Sequence, residues 1–283
     1  MLTNETIRII CIIEILITLT FKANAQNVTY GSNDNAAHYL NVGDAKIYYE
    51  VYGQGRPIIL LHGGLYGYID EYKNYIPTLS QHFKVIAIAL RGHGKSEIGK
   101  KPISYKLFAD DVITVLKTES KDSAVVIGFS DGAITAYVLA AEYHANIYKV
   151  VAIGGGLALS GYSSKGLDWL NNFTPENVEK QDPEFVNERK KMMPQPERWN
   201  EFLEKMKVVW KEPIWVSPEK AKGIKCPVLT IGGDKDYFLT TEQFVQTYKS
   251  IPNSQLAIIP NSGHVKSMTD PLVFEHIILP FIL

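Results

Sequence analysis

The chain has 283 residues, 46% of them hydrophobic and 21% charged, with a formal net charge of -1. This is globular composition, long enough for one large domain with an inserted segment. Its basic residues are scattered rather than gathered into a stripe, which excludes a polyanion partner such as nucleic acid.

In chain order, residues 1–25 read as a secretory signal peptide. Arg8 precedes an apolar run from Ile9 to Phe21, and Ala23-Asn24-Ala25 supplies the small-x-small pattern at which a signal peptidase cuts. Cleavage after Ala25 leaves Gln26 as the mature terminus and sends the protein to a secreted or periplasmic destination. Glu14 interrupts the run and Arg8 is the only positive charge before it, so an uncleaved membrane anchor is the competing reading. Cys11 lies within the run, and Cys226 is left alone in the mature chain, where it cannot form an internal disulfide. It reads as a buried, inert thiol.

Residues 26–37 are polar and rich in Asn, Ser and Gly, as expected of a flexible lead-in. Tyr39–Val42 and Lys46–Tyr52, separated by Gly43-Asp44, predict an antiparallel hairpin at a sheet edge. Apolar strands follow at Pro57–Leu61, Lys84–Leu90, Ala124–Ile127 and Lys149–Ile153, and a helix is predicted over Tyr105–Thr118 from its apolar spacing. The alternation then stops. Residues 157–223 carry amphipathic helical stretches, intervening prolines and all four tryptophans, but no apolar strand. Strands resume at Pro227–Ile231 and Gln255–Ile259, with helices over Thr241–Ser250 and from Asp270 to the end. The fold class is therefore α/β: a mostly parallel eight-stranded sheet with helices on both faces and a small helical subdomain inserted after the sixth strand, which the resemblance given below makes a small helical cap. The core comprises residues 38–156 and 224–283, and the cap comprises 157–223.

Polar residues collect where the strands end, which is where open α/β sheets place their chemistry. Gly128-Phe129-Ser130-Asp131-Gly132 lies between an apolar strand and a helix, the context that a G-x-S-x-G nucleophile elbow requires. Its glycines leave room for a turn so tight that the serine is strained. A serine hydroxyl needs an imidazole to remove its proton, and the imidazole needs an acceptor to fix its tautomer. His264 and an aspartate of the pair Asp234 and Asp236 supply these in the order Ser, Asp, His.

The chain resembles the α/β-hydrolase superfamily through His62-Gly63-Gly64, Arg91-Gly92-His93-Gly94-Lys95-Ser96, the Ser130 elbow, Gly232-Gly233-Asp234-Lys235-Asp236 and Asn261-Ser262-Gly263-His264. The resemblance covers nearly all of the mature chain. It implies Ser130 as nucleophile, His264 as general base and Asp236 as the orienting carboxylate. The oxyanion hole is then formed by the backbone N–H groups of Gly64 and Asp131, with that of Leu65 as alternative to Gly64. Asp234 is left to hold the turn. Thr240 stands where family members often have proline, a departure that alters the entry to the next helix. His62 and His93 read as structural, and the glycine-rich turn around His93 lacks the phosphate-loop pattern. The expected pocket walls are Leu65, Trp169, Met192 and Trp199. An acidic residue after the nucleophile is similar to enzymes that hydrolyse esters of amino acids, where it can face a substrate ammonium. The simpler account of Asp131 is stabilisation by the positive end of the helix it opens.

The implied activity is hydrolysis of a carboxylic ester, lactone or related acyl bond of a small molecule, with no cofactor and no metal. A serine nucleophile speaks against epoxide and haloalkane hydrolysis. Proline-type aminopeptidases, C–C bond hydrolases and perhydrolases use the same three residues and remain alternatives. A non-catalytic ligand-binding protein on this scaffold is the rival from another class.

Overall fold

The computed structural model describes residues 28–283, so the signal reading at residues 1–25 lies outside it. Eight strands form one sheet: β1 (Ala37–Asn41), β2 (Lys46–Tyr52), β3 (Pro57–Leu61), β4 (Lys84–Ile88), β5 (Ala124–Phe129), β6 (Ile147–Ile153), β7 (Val228–Gly233) and β8 (Ser254–Ile259). Their order is β1-β2-β4-β3-β5-β6-β7-β8. β1 pairs antiparallel with β2, and β2 with β4; every other pairing is parallel. β3, β5 and β7 are buried along their whole length, which is why they are apolar without alternation. Their side chains nonetheless divide between two cores, Ile58 and Leu60 on one face and Ile59 and Leu61 on the other.

Helices cover both faces. α1 (Ile76–Leu79) and a helical run over residues 266–282 pack on one face, α2 (Tyr105–Glu119) and α3 (Asp131–Glu142) on the other. Between β6 and β7 lie α4 (Ser164–Asn171), α5 (Pro175–Gln181), α6 (Pro183–Met192), α7 (Trp199–Trp210) and α8 (Pro218–Lys222), and α9 (Thr241–Ser250) follows β7. In α7 the buried residues Trp199, Phe202, Leu203, Met206, Val209 and Trp210 recur at three and four, so one stripe faces the core. Thr240 caps α9, its hydroxyl accepting from the Gln243 N–H at 3.2 Å, a role that proline cannot fill.

The described part of the lead-in is hydrogen-bonded to the sheet. Residues 28–36 are tied down because buried Glu50 of β2 accepts from the Gly31 N–H at 2.9 Å and the Asn33 N–H at 2.8 Å. Polar composition alone carries no trace of an acceptor that lies 17 or more residues onward. A second buried charge braces the hairpin: Arg91 meets Asp111 of α2 through two nitrogens, at 2.9 and 3.0 Å, and Asp44 between β1 and β2 at 3.0 Å.

Candidate active site

The strand-to-helix turn between β5 and α3 is as tight as its glycines demand. A Cβ at Gly128 would sit 2.2 Å from the Gly132 carbonyl oxygen, and one at Gly132 would sit 2.0 Å from that of Leu61. Between them Ser130 adopts φ 51 and ψ -115, a conformation that L-residues avoid. Its own N–H is held by the Ile153 carbonyl at 2.8 Å. The Asp131 N–H opens α3 and has no intrahelical acceptor, leaving it free for an anion.

Asp236, on the loop after β7, is locked from behind. Its Oδ1 accepts from the N–H groups of Phe238 at 2.8 Å and Leu239 at 3.0 Å, and its Oδ2 meets His264 Nδ1 at 2.8 Å. The carboxylate thus fixes the proton on Nδ1 and leaves Nε2 as the basic nitrogen. Asp234 instead accepts from the Ser262 N–H at 3.2 Å, stitching the two loops together. His264 packs between the rings of Phe129 and Phe238, both with centroids at 5.0 Å, and shares a cavity with Ser130. No hydrogen bond joins Ser130 to His264 among the described residues. Such contacts are commonly long in unliganded enzymes and tighten around substrate.

The loop after β3 is built around His62, which is buried and fully used: Nδ1–H donates to the Gly63 carbonyl at 2.7 Å and Nε2 accepts from the Leu90 N–H at 2.9 Å. Burial, with His93 beside it, holds the ring well below the usual histidine range. His93 is likewise buried, and is pushed down to about 4 by that burial. Both rings are neutral braces of the loop. Glu71 supports the same loop by accepting from the Gly63 N–H at 2.8 Å. Gly64 then presses on Asp131: a Cβ there would lie 2.1 Å from Asp131 Oδ2.

Asp131 stands in the first turn of α3, as the helix-end reading expects, and its carboxylate has two further partners. Its carboxylate is buried and accepts from Tyr105 of α2 at 2.9 Å and from Trp210 Nε1 of α7 at 2.8 Å. Burial raises its pKa, against those two hydrogen bonds and the nearby His264. Asp131 therefore joins the turn between β5 and α3, the loop after β3 and the inserted helices.

These pieces surround a cavity of about 300 Å³. Leu65 and Trp169 line it as expected, but Met192 and Trp199 do not. Trp199 is buried at the start of α7, against Phe202, while the cavity lies at the other end of that helix, ~16 Å along its axis. Met192 packs with the opposite core. Trp210, Trp215, Tyr162, Phe238 and Glu71 complete the wall in their place. Trp210 and Trp215 belong to the tryptophan-bearing insertion that the sequence marks, whereas no motif marks Tyr162, Phe238 or Glu71. Cys226 is buried and away from the cavity, its thiol pushed up to about 11 by burial.

Residues 58–275 match the alpha/beta hydrolase family. The chain is 24% identical over 264 residues to the 2-hydroxy-6-oxo-6-(2'-aminophenyl)hexa-2,4-dienoic acid hydrolase of Metapseudomonas resinovorans, covering 86% of this chain and 90% of that one. Among solved structures, Est816, described as an N-acyl homoserine lactone degrading enzyme, superposes with TM-score 0.70 at 23% identity, covering 86% of this chain and 100% of its own. The enol-lactonase from Burkholderia xenovorans LB400 superposes with TM-score 0.67 at 19% identity, covering 87% and 99%.

Proposed function

We propose, since the chain belongs to the alpha/beta hydrolase family, that it is a serine hydrolase cleaving a small carboxylic ester, lactone or related acyl bond through an acyl-enzyme. The observation that carries this reading is a strained serine sharing one cavity with an imidazole whose Nδ1 is held at 2.8 Å by a buried aspartate. In the proposed mechanism Ser130 Oγ attacks the carbonyl carbon while His264 Nε2 takes its proton, and Asp236 stabilises the imidazolium that results. The N–H groups of Gly64 and Asp131 hold the oxyanion. Collapse of the tetrahedral intermediate expels the alcohol, which receives the proton from His264. Water, deprotonated by the same nitrogen, then attacks the acyl carbon, and the acid leaves as Ser130 regains its proton.

Several relatives act on other acyl or keto-acid substrates, so the bond is decided by the pocket. Among the described residues no lysine or arginine lines the cavity, which disfavours a substrate bearing a free carboxylate and favours an ester or lactone. The small volume favours short acyl chains, being at the lower end for ligand pockets. A series of p-nitrophenyl esters from acetate to decanoate, assayed beside lactones with wild type and Ser130→Ala, tests the reading. The expected result is turnover of short esters or lactones that Ser130→Ala abolishes; equal rates for the two proteins would overturn it.

The secretory leader belongs to the proposal as well, with the hydrolase acting outside the cytoplasm. N-terminal sequencing of the exported protein is expected to begin at Gln26, and an intact Met1 on a membrane-bound protein would favour the anchor.

A further inference from the structure

Two carboxylates face the cavity, and among the described residues neither meets a lysine, arginine or other fixed cation there. Asp131 has both oxygens engaged, by Tyr105 and Trp210. Glu71 does not: Oε2 accepts from the Gly63 N–H, while Oε1 takes no hydrogen bond among the described residues. Glu71 keeps partial exposure, and it is the cavity that it lines. An acceptor withdrawn from bulk water without a donor is costly, and a charged one more so. The charge of the Arg189 guanidinium reaches Glu71. The guanidinium itself stacks over Tyr68 at 4.5 Å and Phe185 at 4.3 Å.

Much of the rest of the enclosure is aromatic, beside the aliphatic side chains of Leu65, Ile134, Leu239 and Val265. Trp169 meets Trp210 at 5.5 Å and Phe238 at 5.2 Å between ring centroids, and Trp215 and Tyr162 close the same wall. Ring faces attract cations, most strongly where water is excluded. A carboxylate with a free oxygen that lines the same cavity as such rings matches an ammonium in both charge and desolvation.

We propose that Glu71 and the aromatic wall form a subsite for an ammonium group carried by the substrate, which makes the protein a hydrolase of cationic esters. This rests on the acyl-hydrolase reading above and specifies its substrate class. The subsite lies close to the chemistry. Glu71 holds Gly63, and a Cβ on Gly63 would be 3.5 Å from Ser130 Cβ, so the charge belongs within a few bonds of the scissile carbonyl. Burial pushes Glu71 up to about 7, with Asp70 and Asp131 acting in the same direction and Arg189 opposing them. A bound ammonium keeps it ionised.

The charge can sit on the acyl or the alcohol side, and two substrate pairs separate these. Phenyl β-alaninate against phenyl butanoate tests the acyl side; butyrylcholine against 3,3-dimethylbutyl butyrate tests the alcohol side. In one pair the wild type is expected to favour the cation in kcat/KM, and Glu71→Gln to lower that preference by at least about tenfold. Glutamine keeps an acceptor for the Gly63 N–H, and the ratio cancels any general effect on the loop. In parallel, calorimetric titration with butyltrimethylammonium is expected to show binding that Glu71→Gln weakens by a similar factor. A preference absent from both pairs, or unchanged by the substitution, overturns the inference, as does a cation affinity equal in the two proteins. If no ester of either kind is turned over, the acyl-hydrolase reading fails, and the titration still decides whether the cavity takes a cation.

Discussion

At the scale of single residues, the site combines strain with buried charge. Ser130 is held at φ 51 by the turn around it. Glycine relieves that strain, although it also loosens the unfolded chain, and Ser130→Gly is expected to be about 1 kcal/mol more stable than Ser130→Ala in urea unfolding. Equal stability would mean that the turn stores no strain. Glu71 offers a pH test. Its folded pKa is raised to about 7, so its favourable contribution is present in acid and is lost as pH rises from the ordinary carboxylate range through 7. Glutamine has no such loss. The stability of Glu71→Gln relative to wild type is therefore expected to rise by roughly 2 kcal/mol between pH 5 and pH 8 in paired urea unfolding curves. A difference independent of pH would show that the carboxyl titrates normally. Ser130, Asp236 and His264 were legible in the sequence because each occupies a short motif at a strand end. Glu71 was not, because nothing local marks a glutamate whose meaning depends on facing a cavity made by helices more than 90 residues away.

At the scale of elements, the decisive contact runs between the cap and the elbow. Trp210, the last residue of α7, donates to Asp131, the first residue of α3, and Asp131 packs against Gly64 of the loop after β3. Trp210→Phe keeps the ring but withdraws one of two donors from a buried carboxylate, and is expected to cost about 1.5–3 kcal/mol of stability. Urea unfolding measures it; a loss below about 0.5 kcal/mol would mean that the hydrogen bond contributes little. The helical insertion was readable from the missing strand and the tryptophans, but which tryptophans face the cavity was not. The sequence reading puts Trp199 in the pocket wall and leaves Trp210 out, and nothing in the composition of the insertion separates the two. Only the docking of α7 decides that its C-terminal end meets the site while its first turn is buried elsewhere.

At the scale of the molecule, the sheet order brings the loops after β3, β5, β7 and β8 to one edge, so residues from 62 to 264 converge. That convergence was legible because buried parallel strands are apolar and regularly interrupted by helices, which leaves little choice of topology. The hydrogen bonds of the lead-in were not legible because their acceptor, Glu50, is a strand residue whose burial becomes visible only when the edge hairpin is folded. The central claim is that the polar groups gathered at this edge activate one hydroxyl. Incubation with a fluorophosphonate, followed by mass spectrometry of peptides from wild type and Asp236→Asn, tests it most directly. The account predicts a phosphonyl adduct on Ser130, formed at least about a hundredfold more slowly in Asp236→Asn. A wild-type protein that stays unmodified at Ser130, or an adduct formed equally fast in both, would contradict it.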